Sequence, residues 1–194
     1  MRHSGTAERP VAWWESAGPD RTEGTIERAV ARAGDLGLDR ILVASNTGAT
    51  ARRLRARAPA GMAVVCVTHQ VGFAKPGEDE MGADVRKELR DAGVELLTTT
   101  HFLSGVDRAL RLKQGGLHPS EIVAHALRMF GQGAKVAIEI AVMAADAGLA
   151  PPGREVISIG GTGRGADTAL VLRPAHGQSF FDTRVLEIVC MPRG

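Results

Sequence analysis

The sequence predicts an α/β protein, a three-layer α/β/α sandwich around a mostly parallel mixed sheet. Short runs that are apolar throughout, such as residues 41–44 and 64–67, alternate along the chain with segments of helical periodicity. Runs of this kind are typical of parallel strands, because helices cover both faces of a parallel sheet. The last two predicted strands lack a connection of helix length, so at least one pair of strands is expected to be antiparallel.

Each element follows from a local pattern. The spacing of Ile26, Ala29 and Ala33 predicts the first helix, which we expect Asp20 to cap and Gly37 to end. Apolar residues alternate between positions 136 and 142, as in a strand, but length and alanine content favour a buried helix there. The predicted strands are residues 40–45, 63–68, 94–99, 155–160, 168–173 and 185–191, and the predicted helices are 20–36, 47–58, 84–92, 104–113, 118–130 and 135–148.

Length and charge predict one cytoplasmic domain without a nucleic-acid or membrane partner. The 194 residues suffice for one well-packed core, with residues 1–10 expected to be disordered and 11–194 to form the domain. The 24 Lys and Arg nearly balance the 22 Asp and Glu, so no strongly basic surface is indicated. The sequence contains neither a signal-like apolar segment near its start nor an apolar stretch of membrane-spanning length.

The cysteines and the basic segment are predicted to be structural. Cys66 and Cys190 each lie inside an apolar run, which indicates buried, inert thiols, and no metal-ligand spacing occurs. Four arginines between Arg52 and Arg57 follow helical spacing, which favours a solvated helix face over a patch that faces phosphate.

The first candidate binding segment follows the strand at residues 40–45. Ligands of open α/β sheets bind beyond the carboxyl ends of the strands, and this strand runs into a polar loop that opens a helix. Hydroxyls and free helix amides form a cradle for an oxyanion, although the same hydroxyls can simply cap the helix. The candidate residues are Ser45, Asn46, Thr47, Gly48 and Thr50.

The second candidate segment is glycine-rich and follows the strand at residues 155–160. It formally matches the dinucleotide pattern G-x-G-x-x-A, but residues 167–172 indicate a strand where that fold requires a helix. Two interpretations remain: glycine amides that contact phosphate beside an arginine, or a tight connection that needs positive φ. The candidate residues are Gly160, Gly161, Thr162, Gly163, Arg164 and Gly165.

Four titratable residues are candidates for acid–base chemistry. His69 and His101 each follow a strand, where a histidine is either an acid–base group or an ordinary polar residue. Glu139 and Asp146 lie seven residues apart in the apolar helix, on one face, where pairing or hydrogen bonding is the structural alternative. The irregular segment 70–82 is either a connector or a lid over these residues.

A homo-oligomer is a further expectation. The aromatic residues Trp13, Trp14, Phe180 and Phe181 are candidates for a contact between copies or for core packing.

Several motifs resemble the C-terminal α/β domain of pyruvate kinase. Residues 27–52 resemble its opening helix, strand and phosphate loop, and residues 145–168 resemble its closing strand and glycine loop. From about Trp13 onward the chain is similar to a family of small stand-alone archaeal and bacterial proteins described as pyruvate kinase α/β-domain-like. The segments 143–146, 164–169, 173–176 and 190–193 carry this similarity.

The resemblance implies a five-stranded mixed sheet, or a slightly larger one, with one antiparallel strand. The pyruvate kinase domain binds an allosteric sugar bisphosphate, which implies that Ser45, Thr47, Gly48 and Thr50 hold a phosphate near the loop 161–165. Asn46 and Thr47 stand where the enzyme has Lys-Ser or similar, and residues 69–131 have no clear counterpart in it. The length also falls short of a catalytic barrel of about 250 residues, so pyruvate kinase activity is not expected.

The leading hypothesis is a domain that binds a phosphate-bearing small molecule, such as flavin mononucleotide (FMN) or a sugar phosphate, at the carboxyl edge of its sheet. An enzyme that acts on a phosphorylated metabolite through His69, His101, Glu139 and Asp146 is the first alternative. A regulatory or oligomerisation module is the second.

Overall fold

A seven-stranded sheet forms the middle layer of the structure, a computed structural model that describes residues 10–193. The strands are β1 (Ala12–Trp14), β2 (Arg40–Ala44), β3 (Ala63–Val67), β4 (Val94–Leu97), β5 (Val156–Gly160), β6 (Thr168–Arg173) and β7 (Arg184–Pro192). The helices are α1 (Thr22–Leu36), α2 (Ala49–Arg57), α3 (Ala83–Asp91), α4 (Gly105–Gln114), α5 (Pro119–Arg128) and α6 (Gln132–Asp146). The prediction of disorder for residues 1–10 falls, apart from Pro10, outside the described residues.

The strand order β1-β7-β6-β5-β2-β3-β4 confirms the predicted mostly parallel mixed sheet. Strand β6 runs antiparallel to both of its neighbours, and the other strand pairs are parallel. The sheet exceeds five strands, and one of its strands, β1, has no counterpart in the sequence prediction. Three residues are too short to show a strand pattern, and β1 forms because it pairs with residues 190–192 of β7.

Helices cover both faces of the sheet, as the sandwich prediction requires. Helices α1, α2 and α3 pack on one face through Ile26, Leu54 and Leu89. Helix α6 packs on the other face, with α5 on its outer side, so most of its residues are buried. This enclosure explains the ambiguous apolar pattern of α6, and it confirms the helical interpretation of that segment.

For the first helix, the predicted cap at Asp20 is wrong, and the predicted end at Gly37 is confirmed. A short 3-10 helix (Pro19–Arg21) contains Asp20, and α1 begins after it without a side-chain cap. Gly37 ends α1 in the left-handed conformation with φ 63°, which glycine adopts without strain.

Both thiols lie in the core, as predicted. Burial raises the pKa of Cys66 to about 12 and that of Cys190 to about 11, so both remain protonated at neutral pH. Among residues 10–193, no helix has the length and apolar character needed to cross a membrane.

The chain reverses its path through the sheet between β2 and β5. Strands β2, β3 and β4 follow one another outward, and the connection through α6 then returns to β5 on the other side of β2. Open α/β sheets bind ligands beyond the carboxyl ends of the strands at such a point. Both candidate binding segments, which follow β2 and β5, meet there.

The end of β5 and the first turns of α6 approach closely enough to exclude a side chain. A Cβ atom on Gly160 would lie 2.2 Å from the Gly133 carbonyl oxygen and 2.9 Å from the Ala137 amide nitrogen. The Ser158 hydroxyl donates a hydrogen bond of 2.7 Å to the Ala137 carbonyl and holds the same contact. Gly160 therefore has a packing role.

We predict that Gly160→Ala lowers the free energy of unfolding by about 1–3 kcal/mol, because α6 must shift to admit the methyl group. Gly34→Ala is the control, since Gly34 is exposed in α1 and its added methyl meets nothing within 4 Å; it should stabilise by up to about 1 kcal/mol. Urea unfolding followed by tryptophan fluorescence measures both. Equal stability of the two variants would contradict the assigned packing role.

Candidate functional site

A pocket of about 950 Å³ opens at the carboxyl edge of the sheet, between the first turns of α2 and α6. This volume lies near the top of the range for small-molecule sites. Eight of the predicted binding residues line it, namely Ser45, Asn46, Thr47, Thr50, Gly161, Gly163, Arg164 and Gly165. Three of the predicted acid–base residues line it as well, namely His69, His101 and Glu139.

The loop between β2 and α2 uses one hydroxyl as a cap and leaves amides free. The Ser45 Oγ accepts hydrogen bonds from the amides of Thr50 at 3.2 Å and Ala51 at 3.4 Å. Ser45 thus caps the helix, as the alternative interpretation proposed. In the described part of the chain, the amides of Thr47, Gly48 and Ala49 have no acceptor. Capping therefore leaves donors for an anion at this helix start.

The glycine-rich loop after β5 is anchored by Asp167, which the sequence analysis did not single out. Asp167 is fully buried, and its carboxylate accepts hydrogen bonds from the Thr162 amide at 3.0 Å and the Gly18 amide at 3.2 Å. The Thr168 hydroxyl donates a third bond of 2.8 Å. These donors stabilise the buried charge and fix the loop beside the pocket.

The glycines of this loop have different roles. Gly163 and Gly165 have φ 74°, and a Cβ on Gly161 would lie 2.3 Å from the Gly165 carbonyl oxygen. The tight-connection interpretation is therefore correct for these backbones. A Cβ on Gly163 would meet nothing within 4 Å, so this residue leaves open space on the pocket wall. The exposed Arg164 side chain beside it has no partner among the described residues.

His69 lies between a carboxylate and the loop that follows β2. Its Nδ1 is 2.6 Å from Glu80 Oε2, and its Nε2 is 3.0 Å from the Asn46 side-chain nitrogen. The amide nitrogen is a donor, so Nε2 is the acceptor and Nδ1 carries the proton that Glu80 accepts. Sequence analysis did not identify Glu80, because the segment 70–82 carries it to His69 from a position without a recognisable motif.

The segment 70–82 also delivers Phe73 to the pocket. The Phe73 ring lies 3.8 Å from the His69 ring, centroid to centroid, and the Arg108 guanidinium lies 5.1 Å from the Phe73 centroid. Arg86 holds the segment in place through a 2.7 Å bond to Asp79, whose pKa this bond lowers. The segment is therefore part of the pocket wall as well as a connector.

His101 packs edge-on against His69, with 5.1 Å between the ring centroids. Burial lowers the pKa of His101, while the carboxylate of Glu139 opposes the shift. In the part of the chain that the structure describes, neither ring nitrogen of His101 has a hydrogen-bond partner. A neutral imidazole with free nitrogens thus lines the pocket.

Glu139 has structural partners, as the pairing alternative proposed. It is 4% exposed, it accepts a 2.9 Å bond from the Leu103 amide, and it forms an ion pair with Lys135 one turn earlier. The sequence analysis missed Lys135, although it is the cation at i−4 from Glu139 in an otherwise apolar helix. Its ammonium group has three donors and uses one on Glu139, so two remain for the pocket.

Four predicted residues do not line the pocket. Asp146 ends α6 about 10 Å along the helix axis from Glu139, and there it accepts bonds from the Gly177 amide at 2.9 Å and from His176 at 3.1 Å. Gly48 and Gly160 have packing roles, and the amide of Thr162 binds Asp167. Sequence spacing placed Asp146 on the correct face of the helix but could not place it along the pocket.

Cations outnumber carboxylates on the pocket wall. Three carboxylates line the pocket, namely Glu80, Glu121 and Glu139. Six cationic side chains line it as well, namely Arg53, Arg108, Arg111, Arg128, Lys135 and Arg164. The basic segment of α2 is exposed and mostly engaged in ion pairs, as the solvated-face prediction proposed, and Arg53 extends from it to the pocket. The balance of charge favours an anionic ligand.

We predict that Asp167→Ala lowers the free energy of unfolding by at least about 2 kcal/mol, because two part-buried amides and the buried Thr168 hydroxyl lose their acceptor. Asp91→Ala removes an exposed carboxylate that pairs with Lys87 at the surface, and it should cost less than about 1 kcal/mol. Thermal unfolding of both variants makes the comparison. Similar losses would contradict the anchoring role of Asp167.

We also predict that His101 titrates below 6.5, the value of an unperturbed histidine. The unfolded chain then binds a proton at higher pH than the fold does, so the stability conferred by a neutral His101 falls as pH drops from 6.5 through its lowered pKa. NMR titration of the ring measures the pKa, and His101→Gln should flatten this part of the pH–stability curve. A pKa above 6.5 would contradict the burial argument.

Comparisons with known proteins identify a family model and several similar structures. Residues 23–172 match the family model of the pyruvate kinase alpha/beta domain. A pyruvate kinase from Cryptosporidium parvum is 18% identical with a TM-score of 0.42, over 86% of this chain and 23% of that chain. The Cryptosporidium parvum pyruvate kinase in complex with ADP is 19% identical with a TM-score of 0.38, over 94% of this chain and 24% of that chain.

The present chain therefore spans about a quarter of the length of those enzymes. The family model covers well over half of the 194 residues and includes both loops that line the pocket. The chain belongs to the pyruvate kinase α/β domain family.

Proposed function

We propose that this domain binds a phosphate-bearing small molecule in the crevice between the carboxyl ends of β2 and β5. One observation carries the proposal. The amides at the start of α2 and the guanidinium of Arg164, none of which has a partner among residues 10–193, belong to the wall of the same pocket. Unpaired backbone donors and an unpaired guanidinium are the groups with which proteins bind phosphate.

The field of the helices supports the same proposal. The first turns of α2 and α6 both lie at the pocket, and a helix start carries a partial positive charge. Lys135 adds a charge in the first turn of α6, and its Glu139 partner occupies one of its three donors. The helix starts and the Lys135 ammonium group both carry positive charge, and both therefore attract a dianionic phosphate.

The wall favours a sugar phosphate over FMN. Phe73 is the one phenylalanine, tyrosine or tryptophan that lines the pocket among the described residues, and it already packs against His69 and Arg108. An isoalloxazine ring needs a broad apolar or aromatic slot, whereas a sugar needs hydroxyl and amide partners such as Thr68, Ser104 and Gln132. The proposal assigns no pyruvate kinase chemistry to this domain and places it in the cytoplasm.

A contact between copies of the chain is a second, independent proposal. Trp13 is 53% exposed and Phe181 is 79% exposed, whereas Trp14 and Phe180 pack against the core. An oligomer would use the first pair, and sedimentation analysis of Trp13→Ser with Phe181→Ser would detect its loss.

We predict that Thr47→Asp weakens the binding of fructose bisphosphate at least about tenfold, because a carboxylate at the α2 start repels the phosphate. Gly163→Asp should act in the same direction from the opposite wall. Isothermal titration calorimetry measures the affinity of each variant for fructose bisphosphate, FMN and inorganic phosphate. The affinity of the unmodified protein should fall with added salt.

Ala60→Asp is the matched control. It adds the same charge at an exposed turn between α2 and β3, away from the pocket wall. Its affinity should equal that of the unmodified protein. Unchanged affinity in Thr47→Asp and Gly163→Asp would contradict the proposed site, as would the absence of binding by all three ligands.

A further inference from the structure

We propose that His69 accepts a phosphoryl group from the bound phosphate ester, which makes the domain a phosphomonoesterase with a covalent phosphohistidine intermediate. This inference rests on the proposed phosphate site and adds a reaction to it. It is carried by the position of one ring between Glu80 and the loop after β2, and by a second histidine beside it.

The surroundings of His69 fix the nitrogen that attacks. Glu80 accepts the Nδ1 proton at 2.6 Å, so the lone pair resides on Nε2. A carboxylate on the far nitrogen holds the ring in one tautomer and stabilises the positive charge that develops as Nε2 forms a bond. The His69 side chain is 28% exposed and lines the pocket, so a ligand can reach it.

The Nε2 lone pair contacts the first part of the loop that carries the proposed phosphate cradle. The partner of Nε2 is the Asn46 side-chain nitrogen at 3.0 Å. Asn46 directly precedes Thr47, the first of the three residues whose backbone amides form the proposed cradle. Only the Asn46 side chain would therefore separate His69 Nε2 from a phosphate that these amides hold. The Asn46 nitrogen is a donor, so it can turn to a phosphate oxygen and release the lone pair.

The pocket wall supplies positive charge that stabilises the phosphoryl group during its transfer. Arg108 packs over Phe73 and has no carboxylate partner among the described residues, and Lys135 lies on the α6 side of the same pocket. Both cations favour the equatorial oxygens of the transition state, where the charge of phosphoryl transfer is spread. Glu80 is bound to Nδ1, on the side of the ring away from the attack, which limits its repulsion of the phosphate.

His101 completes the proton balance. In the first step the P–O bond of the ester breaks, the P–Nε2 bond forms, and the leaving alkoxide takes a proton from the imidazolium form of His101, whose ring centroid lies 5.1 Å from that of His69. Because burial lowers the pKa of His101, this protonated form is the minor one at neutral pH, and the first step is expected to become faster as the pH falls. In the second step water attacks phosphorus and gives its proton to His101, and the P–N bond breaks. The sum is one ester and one water converted to one alcohol and one inorganic phosphate.

Phosphoramidate tests the nucleophile without knowledge of the natural ligand, because its leaving group departs as ammonia without an acid from the protein. The protein is incubated with phosphoramidate, and the rate at which each histidine gains a phosphoryl group is read by mass spectrometry of peptides kept at alkaline pH. We expect His69 to react at least about tenfold faster than His176, which is exposed, lies outside this pocket and serves as the internal reference. Inorganic phosphate should slow His69 selectively, because it occupies the cradle.

Glu80 is the positioning residue, and its variants distinguish activation from mere access. We expect Glu80→Gln to slow the phosphorylation of His69 at least about tenfold and Glu80→Asp to restore most of the rate. Glu78→Gln, on the same segment but exposed and 3.9 Å from Lys75, should change nothing. His101→Gln should leave the phosphoramidate reaction intact and abolish release of phosphate from a phosphate ester.

The outcomes separate the two proposals. A His69 rate no faster than that of His176 overturns the assignment of His69 as the nucleophile, and if fructose bisphosphate still binds, the phosphate site stands without it. Selective phosphorylation that is insensitive to Glu80→Gln also overturns the inference, since access alone then explains it. Loss of both binding and selective phosphorylation overturns the inference and the phosphate site together. Should Glu80→Gln fail to fold, protection of His69 by inorganic phosphate in the unmodified protein decides the matter.

Discussion

The close contact between the end of β5 and the first turn of α6 is the constraint on which the rest of the structure depends. A Cβ on Gly133 would lie 2.2 Å from Thr168 Oγ1 and 2.5 Å from Asp167 Oδ1, and Gly160 is closed from the other side by Gly133 itself. We call these four residues, Gly133, Gly160, Asp167 and Thr168, the glycine junction. Because neither glycine has room for a side chain, the first turn of α6 packs directly against the end of β5, and this contact fixes the position of the helix on the sheet.

Two parts of the pocket follow from the glycine junction. Helix α6 begins at the carboxyl edge of the sheet, which brings Lys135 and Glu139 to the pocket on consecutive turns. Asp167 holds the glycine-rich loop through the Thr162 amide, which leaves Gly163 and Arg164 on the wall. A change at the junction is therefore expected to alter both walls together, although no junction residue needs to contact the ligand.

The pocket is divided into two chemical regions. The side formed by the ends of β2 and β5 offers backbone amides and an arginine, which are hydrogen-bond donors suited to an anion. The side formed by the ends of β3 and β4 offers the imidazoles of His69 and His101 and the carboxylate of Glu80. In the proposed mode of binding, a ligand with phosphate at one end would place its ester oxygen toward the two imidazoles. The division is the physical reason to regard the domain as more than a passive binding module.

The sequence predicts the parts of this arrangement that depend on local pattern. The ends of strands can be read from the sequence because apolar runs stop at polar residues, and this pattern predicts His69, His101 and the two loops on one edge of the sheet. The family resemblance implies the same place for the two loops but has no counterpart for the two histidines. Glu80, Phe73 and Asp167 were not predicted, because their contacts depend on the path of irregular segments, which no periodicity reveals. Asp146 shows the converse, since a helix face can be inferred from spacing but the end of the helix that meets the pocket cannot. The strand β1 was missed because three residues carry no periodicity.

Native mass spectrometry of gently purified protein, with an absorption spectrum, tests the central claim most directly. The account predicts a stoichiometric phosphate ester bound to the unmodified protein and absent from Thr47→Asp. A bare protein whose melting temperature also fails to shift with fructose bisphosphate, FMN or inorganic phosphate would contradict the claim that this edge of the sheet is a phosphate site.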